Sequence, residues 1–311
     1  MKPELNVERG YARNCPAPAK LNLFLHVTGQ RADGYHLLQT AFQLIDRTDL
    51  LHFTRRSDNR IVRVNDIPGV PEAADLVVRA AKLLQSKTGT QQGVEITLDK
   101  QLPMGGGLGG GSSDAATTLM ALNCLWECNL SRHELMACGL HLGADVPFFL
   151  FGQNAFAEGV GDLLSPLETP DCWYVVIEPG VSVPTQAIFS SKSLTRNSPS
   201  IKVADFHCYP QGEWRNDLEG VAVQLFPDVL FALKWLSHYG NARMTGSGSC
   251  VFCACDSEKA AENILHDIPS MVEAPGDNKL RYWNAWKAKS LNEHPLTHWL
   301  GSYQVSNQSA G

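Results

Sequence analysis

Leu102-Pro103-Met104-Gly105-Gly106-Gly107-Leu108-Gly109-Gly110-Gly111-Ser112-Ser113-Asp114 decides how this chain is read. Its six glycines let the backbone turn freely and approach a ligand without Cβ clashes. A predicted strand over 94–98 precedes it. A predicted helix follows, with Ala115, Leu119, Leu122 and Trp126 on one face. Ser112, Ser113 and Asp114 are residue types that cap such a helix. Free N–H groups and the dipole at a helix start attract an anion, and phosphate is the expected one. A flexible hinge would seldom press so many glycines against a cap and an amphipathic helix.

The kind of phosphate loop is narrowed by what surrounds it. No Lys precedes Ser112, so it is not a Walker A loop. Gly105, Gly107 and Gly110 satisfy G-x-G-x-x-G, a weak match by itself. A nicotinamide-dinucleotide site, the dehydrogenase alternative, wants an acidic residue about 20 positions on, at the end of a second strand. Glu127 and Glu134 instead fall in or beside predicted helices. A protein-kinase loop would lead into a strand carrying V-A-I-K, whereas a helix follows here.

Working outward, 311 residues with 44% hydrophobic content suit one large or two medium domains. A net charge of −6 argues against a nucleic-acid partner, which favours a basic face. Nine cysteines cannot all pair. Cys250 and Cys253 have C-x-x-C spacing but no second pair at a zinc-site spacing, so small buried hydrophobes in a reduced, cytoplasmic protein are expected. Residues 1–14 are polar, without an apolar signal core. The longest apolar run, 146–151, is far short of the ~20 residues that span a membrane, so a soluble protein without a membrane partner is expected.

Strands are predicted over 21–27, 49–53, 61–64, 173–177, 250–255 and 281–288, and helices over 75–87, 227–239 and 257–266. Ser131 and Glu134 form a capping box. Strands and helices without regular βα alternation indicate an α+β fold. Pro166, Pro170, Pro179 and Pro184 punctuate a change near 165, which divides the chain into domains 1–165 and 166–311.

The glycine stretch resembles the central phosphate loop of the GHMP kinases, named for galactokinase, homoserine kinase, mevalonate kinase and phosphomevalonate kinase. Two further motifs of that family have counterparts in the same order, Ala17-Pro18-Ala19-Lys20-Leu21-Asn22-Leu23 and Met244-Thr245-Gly246-Ser247-Gly248-Ser249-Cys250. Asp33-Gly34-Tyr35-His36, Leu142-Gly143-Ala144-Asp145-Val146-Pro147-Phe148-Phe149 and the run from Pro179 to Phe189 resemble members acting on a cytidine-diphosphate-linked sugar alcohol. The likeness extends to about residue 290, and the tail beyond it carries no such motif. Gly106 departs from it, since the family loop usually has Ala there.

The resemblance implies a two-domain α+β fold with the active site in the cleft between domains, ATP and Mg²⁺ as cofactors, and transfer of a phosphoryl group to a small-molecule hydroxyl. It gives Asp145 the role of base, although a carboxylate there also suits a turn cap before Pro147. Lys20 is its partner, and Asn22 points to the same strand face to meet substrate or phosphate. ATP falls to Pro103, Met104, Gly105, Gly106, Gly107, Leu108, Gly109, Gly110, Gly111, Ser112 and Ser113. Lys100 resembles a nucleotide contact, with a surface lysine as the alternative. Tyr35 and His36 are expected to read the cytosine, Phe189 to close over it and Thr185 to meet the diphosphate. Gly246 and Ser247 support the loop and the substrate side. No residue is assigned to the metal, and no oligomeric state is implied.

Overall fold

The computed structural model describes residues 2–208, 214–268, 272–273 and 280–300. After the short β1 (Glu4–Asn6) comes β2 (Tyr11–Gln30), which pairs antiparallel with β3 (His36–Arg56). From 17 to 27 every residue of β2 is buried, so that part of the strand is covered on both faces and reads as a nearly unbroken apolar run. Its register with β3 shifts between Pro18 and Ala19 and again between Asn22 and Leu25. Around these shifts its N–H groups find other partners: Lys20 donates to the Leu108 carbonyl (3.0 Å), Asn22 to the Thr245 hydroxyl (3.0 Å) and Leu25 to the Arg215 carbonyl (3.0 Å). Backbone irregularity thus ties β2 to the glycine loop and to the turn at Thr245, both of which later form the site.

β4 (Ile61–Arg63) and β5 (Gly93–Asp99) flank α1 (Leu76–Thr88), which Asp75 caps by accepting the Val77 N–H and which ends at Gly89 in the left-handed region. α2 (Gly110–Leu125), α3 (Arg132–Leu140) and α4 (Val146–Phe151) follow, then β6 (Ala155–Glu158), β7 (Leu163–Pro166) and β8 (Trp173–Glu178). The second half carries α5 (Thr185–Phe189), α6 (Glu219–Leu225), α7 (Pro227–Leu236), β9 (Arg243–Met244), β10 (Val251–Cys255) and α8 (Glu258–Asp267). β11 (Val272–Glu273), β12 (Leu280–Arg281) and β13 (Asn284–Leu291) complete it. The main sheet runs β1-β2-β3-β13-β8-β10-β9, with β5 and β6 also on β3. Mixed helices and a largely antiparallel sheet make this the expected α+β fold.

The capping box of α3 forms as the sequence requires. Two expectations change. The N-cap of α2 is Gly109, in the left-handed region and without a side-chain cap; Ser112, Ser113 and Asp114 lie inside the first turn. The helix is also buried on nearly every side, because α1, α3, α4 and the sheet surround it, so its polar first turn serves the interior rather than a solvent-facing cap.

The segment after 290 is the second difference. Leu296 and Leu300 join the core formed by α1, α2, α4 and β3. His294 donates its N–H to the carbonyl of Gly152 (2.9 Å), and Thr297 reaches the same oxygen with its hydroxyl (3.2 Å). These bonds satisfy the C-terminal end of α4, the helix that Asp145 precedes. Residues 301–311 lie outside the described residues.

His294 is wholly enclosed, and burial drives its imidazole down to about 3. The unfolded chain takes up a proton near pH 6.5 that the folded chain refuses, so stability should fall as pH drops below 6.5, by about 1.4 kcal/mol per pH unit down to about pH 3. His294→Asn keeps an acceptor for the Leu296 N–H and removes the titration. Thermal unfolding of both proteins from pH 7 to 5 should show the variant losing less stability than the parent.

Candidate active site

A cleft of about 920 Å³ brings together every residue singled out above except Ser112 and Ser113. One end of it is the start of α2. The N–H of Ser113 makes the first intrahelical bond, to the Gly109 carbonyl (2.9 Å), so those of Gly110, Gly111 and Ser112 have no partner within the helix. The glycines are needed for close packing. Gly107 has φ of +77°, and a Cβ there would lie 2.1 Å from the Thr245 carbonyl oxygen. Gly106 would place a methyl 2.8 Å from the sulfur of buried Cys250, so its lack of a side chain makes room for that thiol.

Cys250 and Cys253 are both free, as are Cys15, Cys124, Cys128, Cys138, Cys172 and Cys255, and burial pushes the Cys250 thiol well above its ordinary value. The C-x-x-C spacing is therefore packing.

Lys20 is 4% exposed in its side chain, whereas Asp145 is 36% exposed, with 3.8 Å between Nζ and Oδ2. Burial pulls the Lys20 ammonium down, and the Asp145 charge opposes that shift. Asp145 occupies the N-cap position of α4 but makes no side-chain cap bond, which leaves its carboxylate for the cleft. Asn22 lines the cleft; its Oδ1 accepts from Lys20 Nζ (2.5 Å) and its Nδ2 donates to the Thr40 hydroxyl (2.9 Å), which orients the lysine.

Lys100 is held between two carboxylates, Asp49 at 2.5 Å and Asp114 at 2.7 Å. Asp49 also accepts the N–H groups of Gln101 (2.5 Å) and Leu102 (2.7 Å). Burial alone would pull the Lys100 ammonium down, but Asp114 and Asp49 outweigh it and raise it. Burial, with Asp49 beside it, pushes the Asp114 carboxyl up to about 8 against the pull of Lys100.

At the other end, the turn from Arg31 to Tyr35 is closed by Gly34 N–H to the Arg31 carbonyl (3.0 Å) and Arg31 N–H to the Tyr35 carbonyl (2.8 Å). It leaves Tyr35 65% exposed at the cleft. The His36 ring packs on Phe189 with centroids 4.8 Å apart. The hydroxyls of Thr185 and Ser247 bond each other (2.8 Å) across the cleft wall. Several residues that matter here escape sequence reasoning. Asp49, Thr40 and Arg196 stand in no motif. Thr245 and Asp114 stand inside quoted motifs but show their roles only through long-range partners.

These features have counterparts in known proteins. Models of the GHMP kinases N terminal domain and GHMP kinases C terminal match residues 75–153 and 211–274. The 4-diphosphocytidyl-2-C-methyl-D-erythritol kinase of Janthinobacterium sp. (strain Marseille) is 59% identical over 92% of this chain and 96% of that protein. The chain belongs to the GHMP kinase family. The enzyme of the same name from Cupriavidus metallidurans is also 59% identical, over 91% of this chain and 94% of its own length. A crystal structure of 4-(cytidine 5′-diphospho)-2C-methyl-D-erythritol kinase superposes on this GHMP kinase with a TM-score of 0.72, at 33% identity over 88% of this chain and 98% of that one. A homoserine kinase from Cytophaga hutchinsonii, 16% identical with a TM-score of 0.65, shares the fold.

The two carboxylates around Lys100 make a clear prediction. Lys100→Met strands the buried Asp49 charge without a cation and should cost about 3–5 kcal/mol at pH 7, the usual penalty for breaking a buried ion pair from one side. Asp114, pushed up to about 8, is mostly neutral at that pH, so Asp114→Asn changes little charge, leaves Lys100 paired to Asp49 and should cost far less. Urea denaturation of the two variants checks the order.

Proposed function

We propose that this GHMP kinase transfers the γ-phosphoryl group of ATP to the 2-hydroxyl of 4-diphosphocytidyl-2-C-methyl-D-erythritol, in the non-mevalonate route to isopentenyl diphosphate. The observation that carries this reading is the sharing of one cleft by the Asp33–His36 turn, the glycine loop, Lys20 and Asp145. The names of relatives 55–59% identical over most of the chain support it. Residues 1–165 supply the loop, Lys20 and Asp145, and 166–311 supply Thr185, Phe189, Gly246 and Ser247. The enzyme works in the cytoplasm on a small molecule; its free cysteines suit a reducing compartment. A charge of −6 argues against a nucleic-acid partner, and among the described residues no helix is long and apolar enough to cross a membrane.

The free N–H groups at the start of α2 hold the nucleotide's phosphates, and Lys100 stands beside them. Asp145 orients the acceptor hydroxyl and takes its proton as that oxygen bonds to the γ-phosphorus and the bond to the ADP oxygen breaks. Lys20, as a compact buried cation, offsets charge on the transferring group. Among the described residues no set of three His, Cys, Asp or Glu side chains could hold a metal, so Mg²⁺ would be bound chiefly through the nucleotide's phosphate oxygens. When bound, it neutralises their charge. The Tyr35 ring stacks on the cytosine.

Purified enzyme should consume ATP with the cytidine substrate and not with homoserine or mevalonate, and excess chelator should stop turnover. Asp145→Asn should lower kcat about 10²–10⁴-fold with ATP binding nearly unchanged. Tyr35→Ala should raise KM for the cytidine substrate about 5- to 150-fold, the effect of losing one base–aromatic stack, while KM for ATP stays put. Turnover of homoserine or mevalonate in preference to the cytidine compound would overturn the reading.

A further inference from the structure

Arg196 does not line the cleft, yet its guanidinium is bonded to the two side-chain-bearing segments that form the cytidine end. Nε donates to His36 Nε2 at 3.1 Å. Nη2 donates to the carbonyls of Phe189 and Ser191, both at 2.9 Å, and Nη1 to that of Leu194 at 3.1 Å. One rigid, planar cation therefore spans from the first residue of β3 to α5 and the loop after it.

A guanidinium has five N–H donors and no acceptor. His36 Nε2 must therefore present its lone pair, and a neutral His36 then carries its proton on Nδ1. Burial, assisted by the Arg196 charge, pulls the His36 imidazole down and favours that neutral ring. The same guanidinium bonds the carbonyl of Phe189, whose ring packs on His36 at 4.8 Å and 34°. Arg196 thus fixes both the tautomer of one residue and the seat of the other.

We propose that Arg196 is a positioning residue for nucleobase recognition: it locks His36 as an Nδ1–H donor and sets the spacing between that ring and Phe189, so that the slot is built before a base with an acceptor edge arrives. The substrate-affinity part rests on the cytidine reading above. The tautomer part does not. Pre-organising a slot lowers the ordering cost of binding, so the effect falls on affinity and not on the chemical step.

Two variants and two readouts test it. Arg196→Met removes all four bonds and should raise KM for the cytidine substrate roughly 10-fold or more, the scale of losing hydrogen bonds from a charged group. Arg196→Lys keeps one charged donor centre and should restore part of that loss. In both, kcat and KM for ATP should stay within about twofold, as expected where ground and transition states lose the same contact. Independently, ¹⁵N–¹H correlation spectra of the His36 ring at pH 7 should show the proton on Nδ1 in the parent and a shift toward Nε2–H in Arg196→Met. Failure of the parent to use the cytidine compound would sink the functional reading alone, since the ring spectra still decide whether Arg196 sets the tautomer. Unchanged ring spectra in Arg196→Met, or an equal rise in KM for ATP, would overturn the positioning role.

Discussion

The buried ammonium of Lys20 is the constraint around which this protein is organised. A charge that far from water is costly, and burial already pulls its proton affinity down. It is kept in place by contacts from three directions: the Asn22 amide beside it on β2, the Asp145 carboxylate before α4, and the main-chain bond from its own N–H to Leu108. Thr40 fixes Asn22 in turn. The tail at 294–300 steadies the far end of α4. Elements distant in sequence converge because each satisfies part of one desolvated cation or the group that faces it.

The phosphate loop follows the same logic with opposite charges. Six glycines would make a loose segment in isolation. Here the loop is bounded on one side by Asp49, which binds the N–H groups of Gln101 and Leu102 and the ammonium of Lys100, and on the other by Thr245. The Thr245 hydroxyl accepts the Asn22 N–H and donates toward the Gly107 carbonyl at 3.3 Å. Asn216 holds the turn that carries Thr245 through the carbonyls of Met244 (2.9 Å) and Gly246 (2.7 Å). Glycine thus serves close approach more than mobility, since a Cβ at Gly107 would run into the Thr245 carbonyl.

Local chemistry was the legible part of the sequence. The glycine loop, the capping box of Ser131 and Glu134, and parts of β2, β3, β4, β5, β8, β10 and β13 follow from short-range patterns, and Lys20, Asp145 and the Tyr35–His36 turn stand in separate motifs that the fold brings to one cleft. What the sequence withheld depends on partners far along the chain. Asp114 reads as a cap beside glycines but is a buried partner of Lys100, because α2 is enclosed on all sides. Asn22 gives no sign in the sequence of its bond to Lys20, its neighbour on the strand face. The segment after 290 carries too few residues for a pattern, and its burial follows from β13 returning to β3, beside the first core.

The placement of β13 has a mechanical consequence. It pairs with β3 on one edge, at Ser290 and Leu291, and with β8 on the other along Asn284–Lys289, so one hydrogen-bonded sheet joins strands from both halves of the chain. Such a sheet resists a wide hinge between the halves, which would tear those ladder bonds. Ligands must then pass over the rim, through rearrangement of the exposed turns at Arg31–Tyr35 and Pro103–Gly105 and of the short helix bearing Phe189. The rate at which product escapes would be governed by those few residues, while β2 keeps Lys20 in place through every cycle.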